Sequence, residues 1–214
     1  MKDIIIIGTG AVAAEWTMYL RDIHDVQLKG YLEYSSNIEK YYNQYNYEMP
    51  ILGDIDSYIP QENDYFLLGI SDITFRNVVI DKMQVKGARF ITLIHPTALI
   101  AEDAIIGVGC TIAPFCMIGP KTVLGDFNQL TAYSAVSHDC VLGRNNTFSS
   151  VIVCGHTKIG NNNSFYIRST VQPNLNIGNN NVIQAGMMVD KNISDDTTVF
   201  YRFKEQILAI PKQN

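Results

Sequence analysis

The chain of 214 residues carries little charge: Asp, Glu, Lys and Arg together supply 17% of it, against about 25% in an ordinary soluble domain. So sparse a charged surface predicts that much of it is covered by other subunits. No run of Lys or Arg exceeds a residue or two, and the net charge of -5 offers no basic field to a phosphate polymer, which argues against nucleic acid as a partner. The four cysteines, Cys110, Cys116, Cys140 and Cys154, contain no CxxC pair, so the common zinc and dithiol signatures are missing. Long apolar runs are missing too. Met1 to Ile7 passes from one Lys and one Asp into four isoleucines, too short for a signal peptide or a membrane span, and reads as a buried strand of a cytoplasmic protein.

What is present falls into two halves with different periods. Residues 1–93 alternate strand and helix signals: Ile4 to Ile7, the turn Gly8-Thr9-Gly10, a helix from Ala11 to about Ile23, and a strand from Val26 to Tyr31. A buried strand at Tyr65 to Leu68, a helix at Thr74 to Lys86 and a strand at Phe90 to Ile94 follow. This predicts a small Rossmann-like α/β domain built on a parallel βαβ sheet. Ser35 to Pro60, rich in Tyr and Asn, reads mostly as loop with a short helix near Ile38 to Tyr45.

From Ile94 the period becomes six. Ile94, Ile100, Ile106, Ile112, Ile118, Leu124, Leu130, Val136, Leu142 and Phe148 are all large and apolar. After one step of five, Val153, Ile159, Phe165, Val171, Ile177, Ile183 and Val189 resume the series. A chain of this composition would place apolar residues at about half of such positions by chance. The residue after the anchor is often glycine (Gly107, Gly119, Gly125, Gly143, Gly160, Gly178), which suggests a corner of unusual backbone conformation. The fourth residue after it is usually small, and three of the cysteines stand there, which reads them as small buried hydrophobes. Three short strands per eighteen-residue coil, stacked in parallel, bury such a pattern continuously. The expected parts are an α/β domain over 1–93, a parallel β-helix over 94–199 and a C-terminal tail over 200–214.

The hexapeptide pattern, the opening IIIIGTGAVA, the junction LIHPTALI and the coil SAVSHDCVLG together resemble the sugar acetyltransferases typified by NeuD and PglD. The resemblance implies a left-handed β-helix, a homotrimer, acetyl-CoA as acyl donor lying between neighbouring subunits, and a nucleotide-linked sugar held by the N-terminal domain. The implied activity is acetyl transfer to the amine of a UDP-, dTDP- or GDP-linked amino-deoxysugar for surface glycan or polysaccharide synthesis. Sugar O-acetylation of the sialic-acid type and a non-catalytic nucleotide-sugar scaffold are the alternatives.

The candidate site residues follow. His138 is read as the general base, because an imidazole titrates near neutrality and Asp139 beside it is placed to stabilise the imidazolium. By resemblance, the Gly155 N–H faces the thioester carbonyl, with His156 as a further cofactor contact and Gly186 touching the pantetheine arm. Gly8, Gly10, Glu33 and Ser71 are the expected nucleotide-sugar contacts. Gly8-Thr9-Gly10 suits a phosphate at a helix N-terminus, yet a purely structural turn or a nicotinamide cofactor with Glu33 on its ribose reads the same way. His95 before Pro96 suggests a turn-forming role, and His24 has no evident one. A three-histidine zinc site of the γ-carbonic-anhydrase kind is disfavoured: the five-residue step sets His138 and His156 out of register, and His95 is more than two coils away. No metal is expected. The tail, Val199-Phe200-Tyr201-Arg202-Phe203-Lys204, departs from the family's Gly-x-Pro-Ala-Lys segment, with Ile210-Pro211-Lys212 its only echo.

Overall fold

The computed structural model describes residues 1–38 and 42–201. Strand β1 (Lys2–Ile7), helix α1 (Ala11–Leu20), β2 (Val26–Leu32), β3 (Ile51–Gly53), β4 (Asp64–Leu68), helix α2 (Ile73–Val85) and β5 (Arg89–Phe90) build the first half. All five strands are parallel in the order β3-β2-β1-β4-β5. The four isoleucines of β1 are fully buried because both faces of this central strand are covered. Two expectations are corrected here. The segment expected to be mostly loop contains the edge strand β3 and 3₁₀ turns at Ser35–Asn37 and Asn43–Tyr45; Ile38, where the expected short helix begins, is helical, and the next three residues lie outside the described residues. The strand expected over Phe90 to Ile94 is two strands, because its partner changes: Arg89–Phe90 pairs with β4, whereas Leu93–Ile94 pairs with Thr111–Ile112.

From Leu93 the chain winds a left-handed parallel β-helix of two-residue strands, stacked into three sheets of six, five and seven strands. The anchors form three inward columns. One face holds Ile94, Ile112, Leu130, Phe148, Phe165 and Ile183; the next Ile100, Ile118, Val136, Val153, Val171 and Val189; the third Ile106, Leu124, Leu142, Ile159 and Ile177. From Ile112 on every anchor is buried. Ile94 is 38% exposed because no coil lies beneath it. The five-residue step makes one coil seventeen residues long, yet Val136 still pairs with Val153, Leu142 with Ile159 and Phe148 with Phe165. Register therefore survives, and Phe148 stacks on Phe165 with ring centroids 4.9 Å apart.

The glycines after the anchors do a different job from the one expected. None has positive φ. A Cβ at Gly125 would lie 2.8 Å from the carbonyl oxygen of Gly143, and one at Gly160 2.7 Å from that of Gly178, so these glycines allow coils to stack closely. The left-handed corner lies two residues further on. There Lys121, Phe127, Tyr133, Asp139, Asn145, His156, Asn162, Arg168, Asn174 and Asn180 all carry φ between 55° and 64°. Asparagine tolerates this conformation best. Runs of Asn at 145–146, 161–163 and 179–181 fill one corner, and their inward members Asn128, Asn146, Asn163 and Asn181 hydrogen-bond from coil to coil.

The α/β half sits on the Phe148 face, where Thr111 and Gln129 are buried. Arg76 of α2 is fully buried in this contact, with no carboxylate partner among the described residues. Its guanidinium donates to Gln129 Oε1, Asn145 Oδ1, Thr147 Oγ1 and the carbonyl of Ile70. Burial pulls its pKa down to about 9, so it remains charged at neutral pH. His95 closes the other side of the contact, bonded through Nε2 to Asp22 at 3.1 Å and through Nδ1 to Thr97 at 2.9 Å. Among the described residues no helix is long and apolar enough to cross a membrane.

Candidate active site

One corner of the β-helix concentrates the chemistry. The tight turn after Val136 fixes the direction of His138 and Asp139, and the turn after Val153 in the next coil fixes Gly155 and His156. His138 Nδ1 lies 2.8 Å from Asp139 Oδ2. That contact assigns the ring proton to Nδ1 and leaves the Nε2 lone pair facing away from Asp139, free to accept a proton. The hydrogen bond from His138 is the main reason the Asp139 carboxyl is held below the ordinary aspartate range, with positive potential from His156 and Lys121 adding to it. Both side chains reach solvent, His138 being 52% and Asp139 35% exposed.

Because the coil is one residue short, Gly155 and not His156 lies directly over His138. The fit is close: a Cβ at Gly155 would stand 2.6 Å from His138 Cε1 and 2.8 Å from Nε2. The Gly155 carbonyl accepts from Asn174 N at 3.0 Å, and its N–H has no hydrogen-bond partner among the described residues. A free donor and an imidazole therefore share one corner. His156 lands over Asp139, with Nε2 4.0 Å from Oδ2 and its ring 5.1 Å from that of His138 at 85°. The two histidines are offset by one position, as the five-residue step implies, and both side chains reach toward Asp139.

The other predicted residues lie elsewhere. Gly186, at φ 71°, occupies the neighbouring corner column with Phe115, Tyr133 and Arg168, and its N–H is already bonded to Ile167 O. Gly8, Gly10 and Ser71 gather at the carboxyl ends of β1 and β4, the point where strand order reverses and where open parallel sheets take ligands. Gly8, at φ 99°, packs against the Gly69 carbonyl, and Ser71 is exposed one residue before Asp72, which caps α2 by accepting from Phe75 N at 2.7 Å. Glu33 is buried and committed to the turn, accepting from both Thr9 N and Thr9 Oγ1 at 2.9 Å. It braces the glycine turn from within. Tyr47, which sequence reasoning passed over, donates to the carbonyls of Thr9 and Gly10, and a cavity of about 500 Å³ beside it is lined by Thr17, Arg21, Tyr31, Tyr45 and Glu48.

Two of the cysteines are plain core residues. Cys110 and Cys116 are buried, and desolvation pushes their thiols up to about 12 and about 11. As thiols they are inert near neutral pH.

No family model matches the chain. In sequence it is 33% identical over 81 residues to GDP-perosamine N-acetyltransferase of Escherichia coli O157:H7. That stretch covers 38% of this chain and 37% of the relative, so the likeness spans little more than a third of the curated protein. In structure it superposes on a histidine-to-alanine mutant of GDP-perosamine N-acetyl transferase from Caulobacter crescentus, crystallised with CoA and GDP-perosamine. The TM-score is 0.80 at 20% identity, over 92% of this chain and 93% of that one. The acetyltransferase domain of PglB from Neisseria gonorrhoeae FA1090, in complex with acetyl coenzyme A, matches at TM-score 0.75 and 22% identity, over 92% and 95% of the two chains. In fold, then, the chain is an α/β domain joined to a left-handed β-helix of the kind seen in the sugar acetyltransferases, and in sequence it is similar to one of them.

Proposed function

We propose that the chain transfers an acetyl group from acetyl-CoA to the amino group of a nucleotide-linked amino-deoxysugar. The observation that carries this reading is the corner where His138, oriented by Asp139, stands against the free N–H of Gly155. Attack on a thioester requires a neutral amine and produces an oxyanion. His138 Nε2 takes the proton that the amine loses as it bonds to the carbonyl carbon, and the Gly155 N–H donates to the developing oxyanion, a contribution on the order of 3 kcal/mol. Collapse of the adduct breaks the C–S bond, and the departing CoA thiolate takes the proton back from His138, which restores the neutral base. Asp139 keeps the imidazole in the required tautomer and stabilises it once charged.

The reading divides the labour along the chain. The α/β part (1–93) holds the nucleotide at the glycine turn and Ser71, with the Tyr-lined cavity able to accommodate a nucleoside. The β-helix (94–199) holds acetyl-CoA along the edge carrying Gly155, His156 and, on the adjoining corner, Gly186. Residues 200–214, mostly outside the described residues, remain the expected tail. The solvent-facing column Leu99, Met117, Ile152 and Met188 leaves an apolar stripe on the Val136 face that supports assembly into a homotrimer. Acetyl-CoA and activated sugars are cytoplasmic metabolites, so the chain is assigned to the cytoplasm, in surface glycan or polysaccharide synthesis.

The test is thiol release from acetyl-CoA with GDP-, UDP- and dTDP-linked amino sugars, starting with GDP-perosamine, the sugar named for the relatives. One of them should support turnover, and His138→Ala should lower kcat by roughly 10²- to 10⁴-fold with little change in KM for acetyl-CoA. Full activity in His138→Ala, or no turnover with any amino sugar, would sink the reading.

A further inference from the structure

We propose that His138, Asp139 and His156 form a binding site for a divalent transition-metal ion of the zinc class. One ligand atom of each residue lies within 4.8 Å of the other two. The shortest separations are 2.8 Å between His138 Nδ1 and Asp139 Oδ2 and 4.0 Å between His156 Nε2 and the same oxygen. Around a tetrahedral zinc ion with bonds of about 2.0–2.2 Å, neighbouring ligand atoms stand roughly 3.3–3.6 Å apart. The observed separations bracket that figure, and rotations of two side chains supply the remainder.

The frame that holds them is rigid while the side chains are not. Asp139 and His156 occupy equivalent left-handed corners of adjacent coils, at φ 55° and 57°, and His156 N donates to the His138 carbonyl at 3.1 Å. The backbone positions are therefore set by the stacked ladder. Side-chain exposures of 52%, 35% and 57% leave the fourth position open to water. Two imidazoles and one carboxylate suit zinc, cobalt or nickel, whereas magnesium and calcium favour sites made of oxygen alone. The cluster follows from place after the anchor: His138 and Gly155 stand second, and Asp139 and His156 third, after Val136 and Val153, which pair across the two coils. The third ligand is then the neighbouring aspartate and not a distant histidine.

An ion on Nδ1 leaves the ring proton on Nε2, and an ion on Nε2 takes the lone pair directly. Either way a metal-loaded His138 has no base to offer, a consequence that rests on the acetyl-transfer reading above. The binding itself does not.

The test uses untagged full-length chain stripped with EDTA and dialysed. Zn²⁺ binding by calorimetry should be saturable at one ion per chain, Co²⁺ should give visible absorption from an ion bound to imidazole, and Mg²⁺ should do neither. His156→Ala and Asp139→Ala should each weaken Zn²⁺ binding by roughly tenfold or more. Circular dichroism of both variants checks that the coils remain folded. No saturable Zn²⁺ or Co²⁺ binding, or binding unchanged in folded His156→Ala, overturns the site. Binding without loss of thiol release in the metal-loaded chain overturns the exclusion of base by metal. Binding by a chain that releases no thiol under any condition leaves the site standing and removes the acetyl-transfer reading instead.

Discussion

On the acetyl-transfer reading, with His138 as the base, a single methyl group at Gly155 should separate catalysis from stability. In Gly155→Ala the new Cβ would stand 2.6 Å from His138 Cε1, whereas ordinary carbon contact begins near 3.4–3.5 Å. Something must therefore retreat by about 0.8 Å. The backbone of His138 cannot, because its carbonyl accepts from His156 N at 3.1 Å and the next residue, Asp139, donates to Pro120 O at 2.9 Å. The half-exposed imidazole yields by rotating outward. Its 2.8 Å bond to Asp139 then stretches past the range of a hydrogen bond. Displacement of a reacting group by about 1 Å costs on the order of 10² in rate, and complete loss of the base up to about 10⁴, or roughly 2.7–5.4 kcal/mol of transition-state stabilisation. Gly155 does not have positive φ, so alanine is tolerated by the backbone and Tm should move by no more than about 2 °C. Steady-state kinetics and thermal unfolding of Gly155→Ala, His138→Ala and the double variant decide the matter. The double variant should be no slower than His138→Ala alone. A Gly155→Ala enzyme within threefold of the parent kcat, or an added penalty in the double variant, would refute the claim that glycine is required there to leave room for the ring.

Three further outcomes are expected. Gly119→Ala would set its Cβ 2.8 Å from the backbone at Ser137 and His138, where nothing can swing aside, so it should lose about 1–3 kcal/mol in denaturant unfolding; an unchanged midpoint would contradict the close-stacking role. Arg76→Met keeps the bulk but strands the buried oxygens of Gln129, Asn145 and Ile70, and should cost about 2–5 kcal/mol, with a loss below 0.5 kcal/mol counting against the strut. Burial alone pushes the Asp64 carboxyl up, but hydrogen bonds from Lys29 Nζ, Gln61 N and Tyr58 outweigh it and hold the group below its ordinary value. A folded-state pKa lower than the unfolded one stabilises above the carboxylate range, and that stabilisation disappears as pH falls through the folded value. The stability gap between parent and Asp64→Asn should therefore be widest near pH 7 and shrink on acidification; a gap constant with pH would refute the ionised assignment.

The β-helix was legible because its core is written in identities: a large apolar residue every sixth position can be buried only by stacked coils. The reason for the glycines was not legible. A glycine that permits positive φ and one that lets a neighbouring carbonyl approach look alike in a sequence, and the left-handed corners hold Lys, Phe, Tyr, Asp, His, Arg and Asn, which share no composition. The asparagine runs were the overlooked signal, since their spacing marks one corner and its ladder. Arg76 was hidden for another reason: a cation on a helix reads as a solvent-facing residue, and only the docking of α2 on the Phe148 face buries it. His138 and Asp139 could be paired from adjacency, and the anchor series already set His138 and His156 one place out of register; the close approach of Gly155 to the imidazole and of His156 to Asp139 depends on how the coils stack, which spacing does not give. Glu33 was correctly placed at the end of β2, yet its bonds to Thr9 lie outside what spacing can reveal.

The corner column Lys121, Asp139, His156, Asn174 behaves as a ruler. Each of these residues has the same left-handed backbone at the same place in successive coils, one strand spacing of about 4.8 Å apart. Chemistry mounted on such a frame has addresses. A base moved up or down by one coil keeps its bearing toward the edge of the prism and changes only its distance from the α/β domain, in whole graduations. On the proposed reading, reach toward a longer or shorter acceptor is set by which rung carries the imidazole, with no loop to be rebuilt.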